Sequence, residues 1–196
     1  LASLVAAFRD PSIGVAYGRQ LPHEGATVME RHARLFNYPA VSQVRSLRDA
    51  GRYGIKTISC SNSFAAYRRT ALEAVGGFPS GTIMGEDVIV AGRMLLADWK
   101  LAYVAEAQVF HSHNYTLREE FERYFDIGVF HRADRWILEA FGRADGEGFR
   151  YAASELRYVM RHQPWVLPKV VASVAAKWMG YKLGLHYSRL PLRLRK

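Results

Sequence analysis

The sequence predicts a mixed α/β fold. Three observations carry that prediction. Short runs of β-branched and aromatic residues read as strands, segments with apolar residues three and four apart read as helices, and glycine or proline separates one kind from the other. At 196 residues the chain can bury a core of its own and still carry a helical extension. It holds no internal repeat and no low-complexity tract.

In chain order, residues 1–8 form a short apolar helix stopped by Asp10-Pro11. Residues 13–17 read as a buried strand ending at Gly18-Arg19-Gln20. Residues 27–36 have helical spacing, with Val28, Ala33 and Phe36 as apolar positions. Residues 37–55 are polar and interrupted by Pro39, Gly51 and Gly54, which predicts a long functional or mobile loop with room for one helical turn. Residues 56–60 and 64–67 read as short strands around Ser61-Asn62-Ser63, and residues 70–75 as a helix closed by Gly76-Gly77. The segment Gly81 to Asp87 then leads without a loop into an apolar helix at 88–97. Strands at 101–104 and 108–110 run directly into His111-Ser112-His113. Thr116 and Glu119 have capping-box spacing at the start of a long helix, and residues 149–162 and 165–184 predict two more.

Charge is distributed unevenly. The net formal charge is +9, yet residues 151–196 hold nine Lys/Arg and one acid, Glu155. The excess positive charge belongs to the tail, where it predicts contact with an anionic surface, either lipid or nucleic acid. Lys169, Lys177 and Lys182 interrupt the apolar run from Trp165 to Leu185, which makes a poor membrane span. An apolar face edged by Lys169, Lys177, Trp178 and Lys182, followed by Arg189, Arg193, Arg195 and Lys196, suits a helix lying in a membrane interface. The bland alternative is a core helix with a solvated basic stripe. The single cysteine, Cys60, leaves no internal disulfide and points to a reducing compartment.

Four groups of residues carry possible chemistry. Glu86-Asp87 opens a helix, where a carboxylate accepts hydrogen bonds from free backbone N–H groups. It serves either as a cap or as a general base aimed into a cleft, with flanking Gly85 letting the backbone approach a ligand. His111 and His113, two residues apart, place both rings on one face, as a metal pair or as a hydrogen-bonded strand end. One carboxylate more would suit Mg²⁺ or Mn²⁺. Gly18, Arg19 and Gln20 lie at a strand end, where open α/β sheets bind ligands. Arg68-Arg69 follow another strand and face either phosphate and sugar hydroxyls or solvent. Asp145-Gly146-Glu147 has acid-x-acid spacing but reads as a turn.

The ordered set Gly-Arg-Gln (18–20), Ser-Asn-Ser-x-x-Ala-Tyr-Arg-Arg (61–69), Gly-Gly-Phe (76–78), Gly-Glu-Asp (85–87), Ala-x-Val-x-His-Ser-His (107–113) and Glu-x-x-Arg-Tyr-Phe-Asp-x-Gly (120–128) resembles bacterial family 2 glycosyltransferases. It is most similar to rhamnosyltransferases that build O-antigen and other envelope polysaccharides, over residues 10–185. The resemblance implies a GT-A-like mixed sheet with a C-terminal helical extension. It implies an inverting transfer with Asp87 as base beside Glu86, and His111, with His113 second, on a divalent metal. Ser61, Asn62, Arg68 and Gly85 join Gly18, Arg19 and Gln20 as its substrate-binding positions. It implies dTDP-rhamnose or a similar nucleotide-sugar donor, a lipid-linked glycan acceptor, no nucleic acid, and a cytoplasmic protein peripheral on the inner face of the cell membrane.

The family's D-x-D motif does not occur before Gly18, and the chain opens at Leu1 within a structural pattern. The expectation is a piece of a longer enzyme, with the nucleotide-binding half outside it. Residues 1–115 would be the acceptor-side half and residues 116–196 the helical extension. Competing readings are a non-catalytic membrane-surface module and a metal-dependent hydrolase or nuclease using Asp87, His111 and His113.

Overall fold

A computed structural model describes residues 1–142 and 146–189 of the chain. Asp145, Arg193, Arg195 and Lys196 lie outside the described residues, so the turn reading of the first and the surface role of the others are left where the sequence put them. Helix α1 spans Ala2–Ala6, and strand β1 spans Ile13–Leu21. Helix α2 (Val28–Asn37) starts on a capping box in which Thr27 accepts from the Glu30 backbone N–H and Glu30 closes back on Thr27. Then come β2 (Gln43–Arg45), α3 (Ala50–Tyr53), β3 (Ala65–Tyr67), α4 (Arg69–Ala74), α5 (Glu86–Leu96) and β4 (Lys100–Phe110). Helices α6 (Leu117–Ala133), α7 (Arg135–Phe141), α8 (Glu147–His162) and α9 (Leu167–Leu185) complete the order. The mixed α/β class is as the sequence indicates.

The sheet runs β2-β4-β1-β3, with β1 and β4 parallel and the two outer strands antiparallel to them. A register shift between Ile13 and Val15 puts Ile13 on the face of Ala16 and leaves Val15 and Tyr17 on the other. The α5 side buries Val15, Tyr17, Leu101 and Tyr103 against Ile89, Val90, Met94 and Leu95. The opposite side is thinner, with Leu4 of α1 packed on Ile13, Ala16, Ala102 and Ala107.

Three local expectations are corrected. Residues 56–60 are not a strand, since Gly54–Ile58 is a 3-10 helix. The buried Arg45 guanidinium takes the carbonyls of Lys56 and Ser59, so those groups cannot join a sheet ladder. Residues 37–55 hold more than a loop with one helical turn: beside α3 they contain edge strand β2, and exposed Val41 and Val44 blur the period that would mark it. Residues 101–104 and 108–110 are one strand, because β4 bulges past β1 between Gly18 and Arg19 and continues.

Helices α6 and α9 cross with their backbones in contact. A Cβ on Gly128 would meet Tyr181 O, on Gly180 would meet Phe121 O, and on Gly184 would meet Phe125 O. Ser173, Ala176, Gly180 and Gly184 form the small-residue stripe that allows this approach, and it turns Lys177 inward. Lys177 is therefore not a membrane contact. Its ammonium lies 3.1 Å from Glu120 with both side chains largely buried, and it faces the rings of Tyr151 and Tyr124. Removing it would leave Glu120 unpaired between helices. On the far side, His32 of α2 is buried, with Nε2 2.9 Å from Ser154 Oγ of α8. Burial first, and then the charge of Lys177, hold its pKa down at about 4.

Candidate active site

Parallel β1 and β4 finish at the end of the sheet from which antiparallel β3 starts, so their flanking residues share one edge. Open α/β sheets present ligand-binding residues at such carboxyl ends. The Ser61-Asn62-Ser63 turn before β3 joins the pieces, each residue reaching a different group. Ser61 Oγ accepts from Gln20 Nε2 of β1 at 2.8 Å. The Asn62 backbone N–H donates to Asp87 Oδ2 at 3.1 Å, and its side-chain amide reaches Glu86 Oε1 at 3.5 Å. Ser63 Oγ lies 3.2 Å from His111 Nε2. The Tyr67 hydroxyl donates to Asn62 Oδ1 at 2.6 Å and holds the turn on β3.

Gly85 aims the carboxylates. Its φ of 78° lies in the left-handed region, where a side chain is disfavoured. A Cβ there would also stand 2.8 Å from the ring of Phe130, a buried residue of α6. This glycine thus shapes the turn and receives Phe130. It offers its side to that ring, and its part in ligand approach rests on the backbone alone. Asp87 sits in the first turn of α5 and its Oδ1 accepts from the Val88 N–H at 2.9 Å. Burial pushes its carboxyl above the usual range. The N–H groups of Asn62 and Val88 pull it back in part, and neighbouring Glu86 adds a further upward push. A carboxylate so placed holds protons more tightly than a free one, which is what a base needs.

His111 and His113 follow β4, and their Nε2 atoms are 2.9 Å apart. Burial foremost holds both rings below the ordinary histidine value, and nearby positive charge, including that of Arg34, adds to it. Neutral imidazoles are competent ligands. Among the described residues, no group of three His, Cys, Asp or Glu converges on an ion position. The pair therefore fits as the imidazole edge of a divalent site completed by other oxygens, and does not fit as a whole site for a hard cation.

The other expected positions divide. Arg19 of β1 donates from Nε to Tyr38 O at 3.1 Å and stays half-buried at the site's edge. Gly18 is buried and has no face toward a ligand: a Cβ would overlap Phe64 and Ala107 O, so it is glycine for packing. Arg68 is also withdrawn from substrate. Its guanidinium donates to Ile13 O at 2.9 Å, Phe8 O at 2.9 Å and Asp10 O at 3.0 Å, with Phe8 stacked beneath it. It fastens the N-terminal segment to β1. Conversely, the sequence did not single out Arg34 of α2, which donates to Gln20 Oε1 and lies over the Tyr38 ring. In sequence it reads as one charge among several on a helix face, and no spacing marks it.

Residues 1–193 match the glycosyl transferase family group 2. The chain is 49% identical over 192 residues to the O-antigen chain rhamnosyltransferase WbaN of Salmonella anatum, covering 98% of this chain and 61% of that protein. It is 50% identical over 192 residues to the O-antigen chain rhamnosyltransferase RfbN of Salmonella typhimurium, with the same coverage of 98% and 61%. The chain thus spans about 61% of the length of these relatives. No solved structure matches it.

Proposed function

This chain belongs to glycosyl transferase family group 2, and on that premise we propose that it forms the acceptor side of an inverting sugar transferase in which Asp87 is the catalytic base. The single observation that supports this best is the Asp87 carboxylate itself. It stands at the start of α5 on the open edge of the sheet, fixed by the Asn62 N–H and made more basic by burial. In the reaction, Asp87 takes the proton of an acceptor hydroxyl as that oxygen bonds to the anomeric carbon. The carbon–oxygen bond to the diphosphate breaks, and its electron pair leaves with the diphosphate. Attack opposite the leaving group inverts the carbon. Glu86, steadied by the Asn62 amide, positions the acceptor beside Asp87. On this reading residues 1–115 make up the acceptor half, and the extension from residue 116 onward is carried by α6, α7, α8 and α9.

Family 2 glycosyltransferases commonly use a divalent metal. Here His111 and His113 contribute ligands to Mg²⁺ or Mn²⁺, which when bound offsets charge on the diphosphate. The two relatives' names support a rhamnose donor such as dTDP-rhamnose and a lipid-linked O-antigen acceptor. Radiolabelled transfer from dTDP-rhamnose to lipid-linked glycan, measured on the full-length protein, tests the reading. No transfer with any dTDP-sugar would overturn the donor assignment. His111→Ala is expected to weaken the metal dependence of donor binding by roughly tenfold or more, as loss of one imidazole ligand implies. Unchanged metal dependence would remove the histidines from the site.

The same reading places the protein on the inner face of the membrane. No described helix is long and apolar enough to cross a bilayer. Helix α9 and the residues before it expose Trp165, Val171, Trp178, Met179 and Leu183, with Lys169 and Lys182 on the surface beside them. Aromatic and apolar groups edged by lysines suit the headgroup boundary. Lys169→Ala with Lys182→Ala should reduce flotation with phosphatidylserine-containing vesicles by roughly tenfold or more, at about 1 kcal/mol per lysine. Trp178→Ser should weaken binding to neutral and anionic vesicles alike. Flotation that neither change alters would exclude this face as the membrane contact.

A further inference from the structure

Arg34 is a cation at the site without a counter-charge among the described residues. It makes no ion pair among the described residues, where every salt bridge involves Lys56, Arg69, Arg118, Arg150 or Lys177. Its one protein acceptor is the neutral Gln20 Oε1, and its Nε is buried without a partner. Glu30, one turn earlier on α2, caps Thr27 through Oε2, and its Oε1 makes no hydrogen bond to Arg34. The guanidinium lies 5.8 Å above the Tyr38 ring, and its support Gln20 pairs with Val109 at the end of β4, two residues before His111. Gln20 itself is only 2% exposed and is pinned from its other end to Ser61, so the arginine rests on a rigid support. A half-buried guanidinium with spare donors and no ion pair is a ready site for an anion.

We propose that Arg34 binds a diphosphate at the open edge of the sheet, held in place by Gln20 and Tyr38 between the Asp87 turn and the histidine pair. This rests on the transferase reading, which offers two sources of that chemistry: the nucleoside diphosphate of the donor and the diphosphate of a lipid-linked acceptor. Guanidinium suits the ligand because its planar fork donates to two phosphate oxygens at once.

The test uses the full-length protein and two probes measured separately by titration, dTDP and a short-chain prenyl diphosphate. Arg34→Ala should weaken one of them by roughly 10- to 100-fold, the range for a lost hydrogen bond to a charged group. Arg34→Lys should recover part of the loss, keeping the charge but not the fork. Loss confined to dTDP supports the proposal with the donor as source, and loss confined to the prenyl probe supports it with the acceptor as source. Affinities for both probes unchanged in Arg34→Ala and Arg34→Lys would overturn it. If Arg34→Ala does not fold, the conservative variant carries the measurement. Diphosphate binding is read without turnover, so failure of sugar transfer leaves this result standing.

Discussion

Asp87→Asn should reduce sugar transfer by the full protein by ~10²- to 10⁴-fold, the span that general-base catalysis supplies, while donor binding stays within about twofold. The Asn62 and Val88 N–H groups meet different oxygens of Asp87, so the asparagine keeps one of these two hydrogen bonds and loses the other together with the proton acceptor. Single-turnover rates and donor titration on the same preparations separate the two effects, and a variant with wild-type turnover would remove Asp87 from the chemistry. The pH dependence has a definite sign. Burial raises the folded-state pKa above the unfolded value. Transfer should therefore fall as pH drops through the raised value and the base becomes protonated. Stability moves the other way: the folded state holds this proton more tightly, so its contribution favours folding at low pH and is lost as pH rises through the unfolded and then the folded value. At neutral pH the ionised carboxyl is a burden on the fold, which offsets the hydrogen bond of about 1 kcal/mol that Asp87→Asn gives up, so the variant should melt within a few degrees of wild type. A large drop in melting temperature would mean that Asp87 is a structural cap.

Gly184→Val should be among the most destabilising single changes in the chain, costing on the order of 3 kcal/mol or more. The first added carbon already overlaps Phe125 O of α6. Helix propensity acts in the opposite sense, since replacing glycine by a residue with a side chain gains up to about 1 kcal/mol in a helix interior. The overlap wins because backbone cannot rotate away as a side chain can. Gly148→Ala in α8, where a Cβ meets nothing within 4 Å, isolates the propensity effect and should be neutral or stabilising by up to about 1 kcal/mol. Denaturant melts of the two variants make the comparison, and equal stabilities would mean that α6 and α9 are not in backbone contact. Activity should fall with Gly184→Val as well. Helix α6 carries Phe130, which packs on Gly85 at the turn that aims Asp87, so loosening α6 from α9 loosens the base.

The elements that the sequence announces are those whose signals are local. The capping box at Thr116 and Glu119 forms as its spacing implies, and the two closing helices form close to their expected limits. Gly85-Glu86-Asp87 opens an apolar helix because glycine can take the left-handed turn and α5 needs its first N–H groups met. The strand expected at residues 56–60 fails because Arg45, more than ten residues away in sequence, captures its carbonyls. Nothing local distinguishes Arg68, which holds the backbone of Phe8, Asp10 and Ile13, from Arg34, which rests on Gln20 and Tyr38 at the site.

What the sequence by itself determined is the α/β class, the order of the motifs, the turn that presents Asp87 and the excess positive charge of the last 46 residues. These follow from dihedral preference, periodicity and composition, which act within a few residues. The tertiary structure alone decided which charges are paired inside and which meet solvent. Lys177 and Lys169 are both lysines of one helix, eight residues apart, yet one is buried against Glu120 and the other meets solvent. The difference arises because Gly180 and Gly184 let α6 approach one stripe of α9 to backbone contact, and a charge on that stripe must find its partner inside.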